Sequence, residues 1–280
     1  MKKILFASTA LVASAGFAAA EISFSGEAGF GVVYNDTAAN EWSPDYYTTL
    51  SVSMTGETDG GLSFGADFDI TMDNGATAVG DTEVHVEGGF GKLTVGAVGS
   101  ASDAKLGIGD IGYSGLGVDN VAEVLIDAAD SGNIMYSGSF GDFGVAMSYD
   151  MNGTEIFSIA ATYTMGDYDL GVGYDDWGNL AAGSAFHIKA GGNFGDVALD
   201  AVFSRSSDID TTAYGLNAAY TMGAATISAA YSNVDVGGAS ADAFGIGVSY
   251  DLGGGASVNA GIGENAAGAT VADLGIIMTF

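Results

Sequence analysis

Few groups in this chain could perform covalent chemistry. It has no cysteine and only two histidines, His85 and His187, beside 35 Asp+Glu and six Lys+Arg. A zinc site would need a thiolate or a further nitrogen ligand near one histidine, and neither is spaced for it. No Ser/His/Asp order and no P-loop stands out. Strings such as Gly245-Ile246-Gly247 sit in strand-like sequence with no helix following, so they are not nucleotide fingerprints. A barrel hydrolase would need a nucleophile and a base near a rim, and neither histidine falls at an obvious strand end. Catalysis is not expected. What remains is electrostatic: a net charge of −29 excludes nucleic acid as a partner and suits cations.

The carboxylates fall into two groups. By alternation along the chain, Glu27, Asp67, Asp69, Glu83, Glu87 and Asp200 share one face with Asp169 and Asp273, and so do His85, Lys92, His187 and Lys189. The second group lies in the longest connection, about 99–132, which carries Asp103, Asp110, Asp119, Glu123, Asp127 and Asp130 among apolar residues such as Leu106, Ile108, Ile111, Tyr113 and Leu116. A connection that long is usually functional. Its apolar groups could pack it on a wall while its acids face a channel. Acidic rings favour cations, a low-dielectric wall focuses their field, and salt screens it. No cofactor is required. Asp119, Glu123 and Asp127 could hold a structural Ca²⁺, a hard cation that takes oxygen ligands, although they lack EF-hand spacing.

The elements that must position these groups are strands. Ile22 to Val32 and Leu62 to Met72 alternate apolar with small or polar residues at period two, which a helix cannot satisfy. Seven short turns recur, near Gly56–Gly60, Gly89–Gly91, Phe140–Asp142, Met165–Asp167, Asn193–Asp196, Met222–Ala224 and Leu252–Gly255. Between them lie longer polar connections near 35–45, 73–81, 99–132, 150–155, 175–184, 205–212, 232–242 and 264–270. Eight loops interleaved with seven turns predict 16 strands with both termini on the short-turn side. Short turns on one rim and long loops on the other is the asymmetry of outer-membrane barrels. A barrel this wide cannot be filled by side chains, so the polar face should line water and the apolar face meet lipid. Nine tyrosines, among them Tyr34, Tyr149, Tyr163 and Tyr220, fall near strand ends, where aromatic girdles belong.

Residues 1–20 read as a cleaved secretory signal peptide: Lys2 and Lys3, an apolar run from Ile4 to Phe17, then Ala18-Ala19-Ala20. Residues 21–280 form the predicted all-β transmembrane antiparallel barrel.

The last segment, Val271 to Phe280, places Leu274, Ile276, Met278 and Phe280 in alternation and resembles the terminal strand read by the outer-membrane assembly machinery. Phe244 to Val258 resembles the closing hairpin of the alphaproteobacterial general porins. So do Ser25–Asn35, Met54–Ala66, and Phe90–Gly96 leading into the long connection. The resemblance implies a 16-stranded trimeric barrel in the cell outer membrane, surrounded by lipid and lipopolysaccharide. Its third loop would fold into the lumen, and small hydrophilic solutes would pass. In that family, loop acids face basic wall residues and set up a transverse field. This chain departs from the pattern: Lys92, Lys105, Lys189 and Arg205, with the two histidines, make no arginine cluster. Cation preference is expected. The rival readings are a structural or adhesive barrel with an occluded lumen, and a Ca²⁺-binding solenoid, for which no tandem repeat is present.

Overall fold

The structure, a computed structural model, describes residues 20–109, 111–117, 132–179 and 183–280. The predicted leader, apart from Ala20, lies outside the described residues. Sixteen strands follow in chain order: β1 (Glu21–Asn35), β2 (Trp42–Glu57), β3 (Ser63–Asp73), β4 (Ala76–Gly88), β5 (Gly91–Gly96), β6 (Ile134–Phe140), β7 (Phe143–Tyr149), β8 (Phe157–Met165), β9 (Tyr168–Asp176), β10 (Ser184–Phe194), β11 (Val197–Ser206), β12 (Thr211–Met222), β13 (Ala225–Val236), β14 (Ala239–Gly253), β15 (Ala256–Glu264) and β16 (Thr270–Thr279). A one-turn helix, α1 (Asp103–Leu106), lies in the connection after β5.

Every strand pairs antiparallel with its chain neighbours, and β16 returns to β1, so the sheet closes. Closure satisfies each strand's backbone donors and acceptors inside the sheet, which is what hydrocarbon demands of a spanning chain. Gly26 and Phe280 exchange two backbone hydrogen bonds at the seam, of 3.2 and 2.8 Å.

Period two sets the sides. On β12, Tyr214 and Leu216 are exposed on the outside while Ala213 between β12's neighbours is sealed inside. Phe24, Phe30, Val32, Ile188, Leu199, Ile227, Ile246 and Leu274 likewise stand exposed on the outer face. Leu274, Ile276 and Met278 pair with Val32, Phe30 and Ala28, so the terminal apolar series faces outward as its alternation predicts. Aromatic pairs mark both ends of the wall. Phe143–Tyr163 and Tyr168–Phe194, at 4.6 and 5.2 Å between ring centroids, sit near the short turns; Tyr34–Trp42 and Tyr214–Tyr231, at 4.8 and 5.9 Å, sit toward the loops.

Two predicted loops are tight hairpins instead. The connection expected over 73–81 is Asn74-Gly75 alone, and that expected over 232–242 is Gly237-Gly238. All four residues have positive φ. Asn-Gly and Gly-Gly supply the doubly left-handed turn that matches strand twist, so the polar residues on either side stay paired and the strands run on.

Two packed apolar clusters lie inside the barrel, between the wall and the connection after β5. One cluster joins Leu106 and Ile108 to Ala160 and Val202; a second joins Ile111 and Leu116 to Ala230, Ala243 and Val271.

Candidate functional site

The candidate site is the lumen, and its shape is set by how the connection after β5 is held. From Ser100 to Gly117 this segment runs along the inner wall and touches the strands almost in order. At its start, the amide of Ala101 donates to Ser148 Oγ on β7 at 3.0 Å, and that of Ser102 to Ser158 Oγ on β8 at 2.9 Å. Ser102 Oγ donates to Asp175 on β9 at 2.7 Å. Further on, Lys189 Nζ on β10 donates to the Gly107 carbonyl and Asn217 Nδ2 on β12 to the Gly109 carbonyl, each at 2.7 Å. Asp273 on β16 then accepts from the amides of Tyr113 and Ser114, at 2.9 and 2.8 Å. Tyr113 ends against β1 and β2, its hydroxyl 3.4 Å from the Asp45 carbonyl.

Small residues make room for this path. A Cβ at Gly173 would lie 2.6 Å from both Leu106 Cδ1 and Ser102 Oγ, and one at Gly31 would lie 2.8 Å from Tyr113 Cε1. Leu106 is fully buried against the wall. The glycines and alanines on the inner face of β8 to β16 are therefore seats for the loop as well as products of alternation.

Beneath α1 lies a sealed polar chain. His187 Nε2 is 2.8 Å from Asp175 Oδ2, and His187 Nδ1 is 2.9 Å from Ser204 Oγ. Asp175, His187 and Ser204 are all fully buried. Sequence reasoning found no Ser/His/Asp order, because three adjacent strands bring these residues together from chain positions that form no motif. The connectivity is that of a nucleophile, base and orienting carboxylate. No substrate reaches it, so here it clamps the loop.

His187 and Lys189 were expected to line the pore. Alternation does turn them inward, but the loop covers them: Lys189 also stands 3.6 Å from Asp200, and His187 meets no solvent. Asp273 is likewise taken up by the loop. Asp103 is exposed on α1, with its backbone amide bonded to Ser100 Oγ. Asp110, Asp119, Glu123 and Asp127 lie outside the described residues. Among the described residues no three metal-ligating side chains cluster.

The described loop contacts fall on β7 to β16, β1 and β2, and the arc β3 to β6 faces them across the lumen. On that arc Asp67 pairs across strands with Glu83, and Glu87 with Lys92. Asp69 follows two residues beyond Asp67, past a bulge opposite Phe68. His85 Nδ1 is 3.3 Å from Asp67 Oδ2. Glu27, on β1 two strands from β3, accepts from Tyr47 Oη on β2 at 2.7 Å. Five carboxylates thus face two basic side chains, one of them a histidine charged only when protonated.

A family model described as Gram-negative porin matches residues 7–269 of this chain. A porin of Rhodobacter capsulatus is 31% identical over 304 aligned positions, which cover 93% of this chain and 100% of that protein. A porin of Fuscovulum blasticum is 27% identical with the same coverage. Among solved structures, a triple mutant of the Rh. blastica porin superposes with a TM-score of 0.80 at 25% identity, over 92% of this chain and 100% of that one. A porin refined at 1.8 Å superposes with a TM-score of 0.77 at 26% identity, over 93% and 100%.

Proposed function

The chain belongs to the Gram-negative porin family, and on that premise we propose that it is a passive, cation-preferring diffusion channel of the outer membrane. The observation that carries the reading is the asymmetry of the lumen. On one side the described part of the loop docks on the wall. Among the described contacts none from that segment reaches Glu27, Asp67, Asp69, Glu83 or Glu87, which stand with Lys92 and His85 on the other. Lys92 is matched cross-strand by Glu87, which leaves the remaining acids to set the local potential. Acids lining a narrow aqueous path between low-dielectric walls raise the local cation concentration. With no arginine on the arc, the field has no strong positive pole opposite the loop.

Two further assignments go with this function. Leu274, Ile276, Met278 and Phe280 are the strand that the assembly machinery engages, supported by their common outward face. The working unit is a homotrimer embedded in lipid and lipopolysaccharide, supported by kinship with the family.

The test is reconstitution of the purified mature protein. Liposomes should swell in neutral sugars at rates that fall with sugar size, and planar bilayers should show stepwise conductance. A barrel that inserts but passes neither sugar nor current overturns the channel reading and favours an occluded structural barrel.

A further inference from the structure

The outer face of the barrel carries a feature that the channel reading leaves unused. Arg205 lies on β11, one residue from the loop end of that strand. Its neighbour Ser204 turns inward to His187, so Arg205 turns outward, cross-strand from Phe186 and Thr212. It is the chain's one arginine. Its side chain is exposed, and among the described residues its guanidinium has no hydrogen-bond or ion-pair partner. A charged group on the outer face costs about 2–4 kcal/mol at the bilayer midplane and about 0–1 near the interface. Arg205 therefore belongs at headgroup level, beside Phe186 and just beyond Phe203 and Tyr214.

Below it, on the same outer face, is a concavity of 540 Å³. Its floor is Ala190, Ala201, Ala218 and Ala229, and Leu199 and Leu216 rise beside it. The floor is low because four small side chains meet across β10 to β13: Ala190 opposes Ala201, and Ala218 opposes Ala229. Ala201 and Arg205 are four residues apart on one strand, roughly 13 Å at strand rise, a span that a fatty acyl chain covers.

We propose that this face of the barrel is a lipid site, with Arg205 holding a phosphate of the outer leaflet's lipopolysaccharide and the alanine-floored groove taking one of its acyl chains. A guanidinium presents a planar fork of donors that matches a phosphate, and a charge-assisted pair is among the stronger hydrogen bonds. Charge complementarity selects the occupant. The chain is strongly acidic, so an arginine left unpaired on its lipid face calls for an anion from outside. Thr212 beside it adds a hydroxyl donor. The nearest outward carboxylate in that row is Asp235, paired with Thr212 and so two strands from Arg205, roughly 10 Å at strand spacing. The site rests on the outer-membrane placement proposed above.

The experiment is native mass spectrometry of the protein extracted from outer membranes in mild detergent. Three forms are compared: the unaltered chain, Arg205→Gln, and Ala218→Phe, which fills the groove. The unaltered protein should retain phosphorylated lipid. Arg205→Gln should lose about tenfold or more of it, the factor expected when a charge-assisted bond is removed, and Ala218→Phe should lose it by blocking the acyl chain. Arg205→Lys should retain an intermediate amount. Channel conductance is recorded on the same preparations, so that loss of lipid with intact conductance isolates the site, whereas absent conductance in the unaltered chain would strike the channel reading instead. Equal lipid retention in all forms overturns the proposal, as does equal retention of dephosphorylated lipid. A changed oligomeric state in Ala218→Phe with lipid undiminished also overturns it and makes the groove a seat for a second copy.

Discussion

His187 Nε2 stands 2.8 Å from Asp175 Oδ2, with both side chains closed off from solvent beneath α1. With Asp175 ionised, Nε2 carries the imidazole proton, and Nδ1 is free to accept the hydroxyl hydrogen of Ser204. Asp175 in turn accepts from Ser102 Oγ, which ties the first turn of the inner loop to three wall strands. A fully satisfied buried network of this kind fixes one geometry, and a partly satisfied one is costly.

Removing one member should therefore loosen the loop. His187→Ala leaves Asp175 with a vacant acceptor and Ser204 without its partner, an expected loss of about 1–3 kcal/mol for a buried orphaned group. Single-channel records of His187→Ala should show flickering between conductance levels where the unaltered channel is steady. Records as quiet as the unaltered channel's would mean that the network does not hold the loop.

The apolar seat makes a separate prediction. Leu106 is wholly buried against β8 to β11, and truncation of such a side chain costs about 2–5 kcal/mol. Leu106→Ala should make the start of the loop cleavable by added protease while the barrel itself stays resistant. Gly173→Val should do the same from the opposite side, because its side chain would occupy the space of Leu106 and Ser102. Protection unchanged in both variants would contradict the docking described here.

A chain without cysteine allows the lumen's asymmetry to be probed by thiol chemistry. Ser53 lies on β2 cross-strand from Asp67 and is partly open, whereas Ser232 on β13 is fully buried on the covered side. Ser53→Cys should react with a charged methanethiosulfonate in seconds and lose conductance. Ser232→Cys should resist the same reagent. Similar rates at the two positions would remove the distinction between covered and open wall.

The turn after β7 carries a pH dependence of known sign. Asp150 accepts from the Thr154 hydroxyl, from the amides of Asn152 and Thr154 at 3.1 and 2.9 Å, and from Asn133 Nδ2. These bonds, the Thr154 hydroxyl foremost, hold its carboxyl below the ordinary range. A depressed carboxylate stabilises the turn at every pH above its unfolded value, about 3.9, and that contribution is lost as pH falls through the lower folded value. Hydrogen exchange at the Thr154 amide, corrected for the intrinsic rate, should thus show constant protection from neutral pH to about 4 and a decline below it. Asp150→Asn should remove the pH dependence; a decline that survives in that variant would place its origin elsewhere.

The barrel was legible because its evidence is local. Period-two alternation such as Leu62 to Met72, glycine at the seven short turns, and the terminal series Leu274 to Phe280 each specify structure within a few residues. The two misread hairpins share one cause: Asn74-Gly75 and Gly237-Gly238 sit among polar residues, and polarity was read as loop when the turn dipeptide was the stronger signal. The site was less legible. Alternation turns Asp67, Asp69, Glu83, His85 and Lys92 inward, but it says nothing about what covers an inward residue. His187 and Lys189 could not be told apart from His85 and Lys92 by pattern, since the difference is the loop that crosses over them. The seats at Gly173, under Leu106, and at Gly275, where a Cβ would lie 2.3 Å from the Tyr113 ring, read simply as small inner residues. Tyr113, which Gly31 and Gly275 accommodate, comes from 82 and 162 positions away in the chain. The Asp175–His187–Ser204 clamp was not legible: the pattern puts Asp175 in the 175–184 connection and singles out neither it nor Ser204.

Reversal potential across a planar bilayer under a KCl gradient tests the account most directly. The carboxylates of the β3 to β6 arc predict a potential with the sign of cation permeation. It should be largest at low ionic strength, where screening is weakest, and reduced in the double variant Asp67→Asn with Asp69→Asn. A potential with the sign of anion permeation, or one that the double variant leaves unchanged, would contradict the assignment of the open acidic arc as the conducting path.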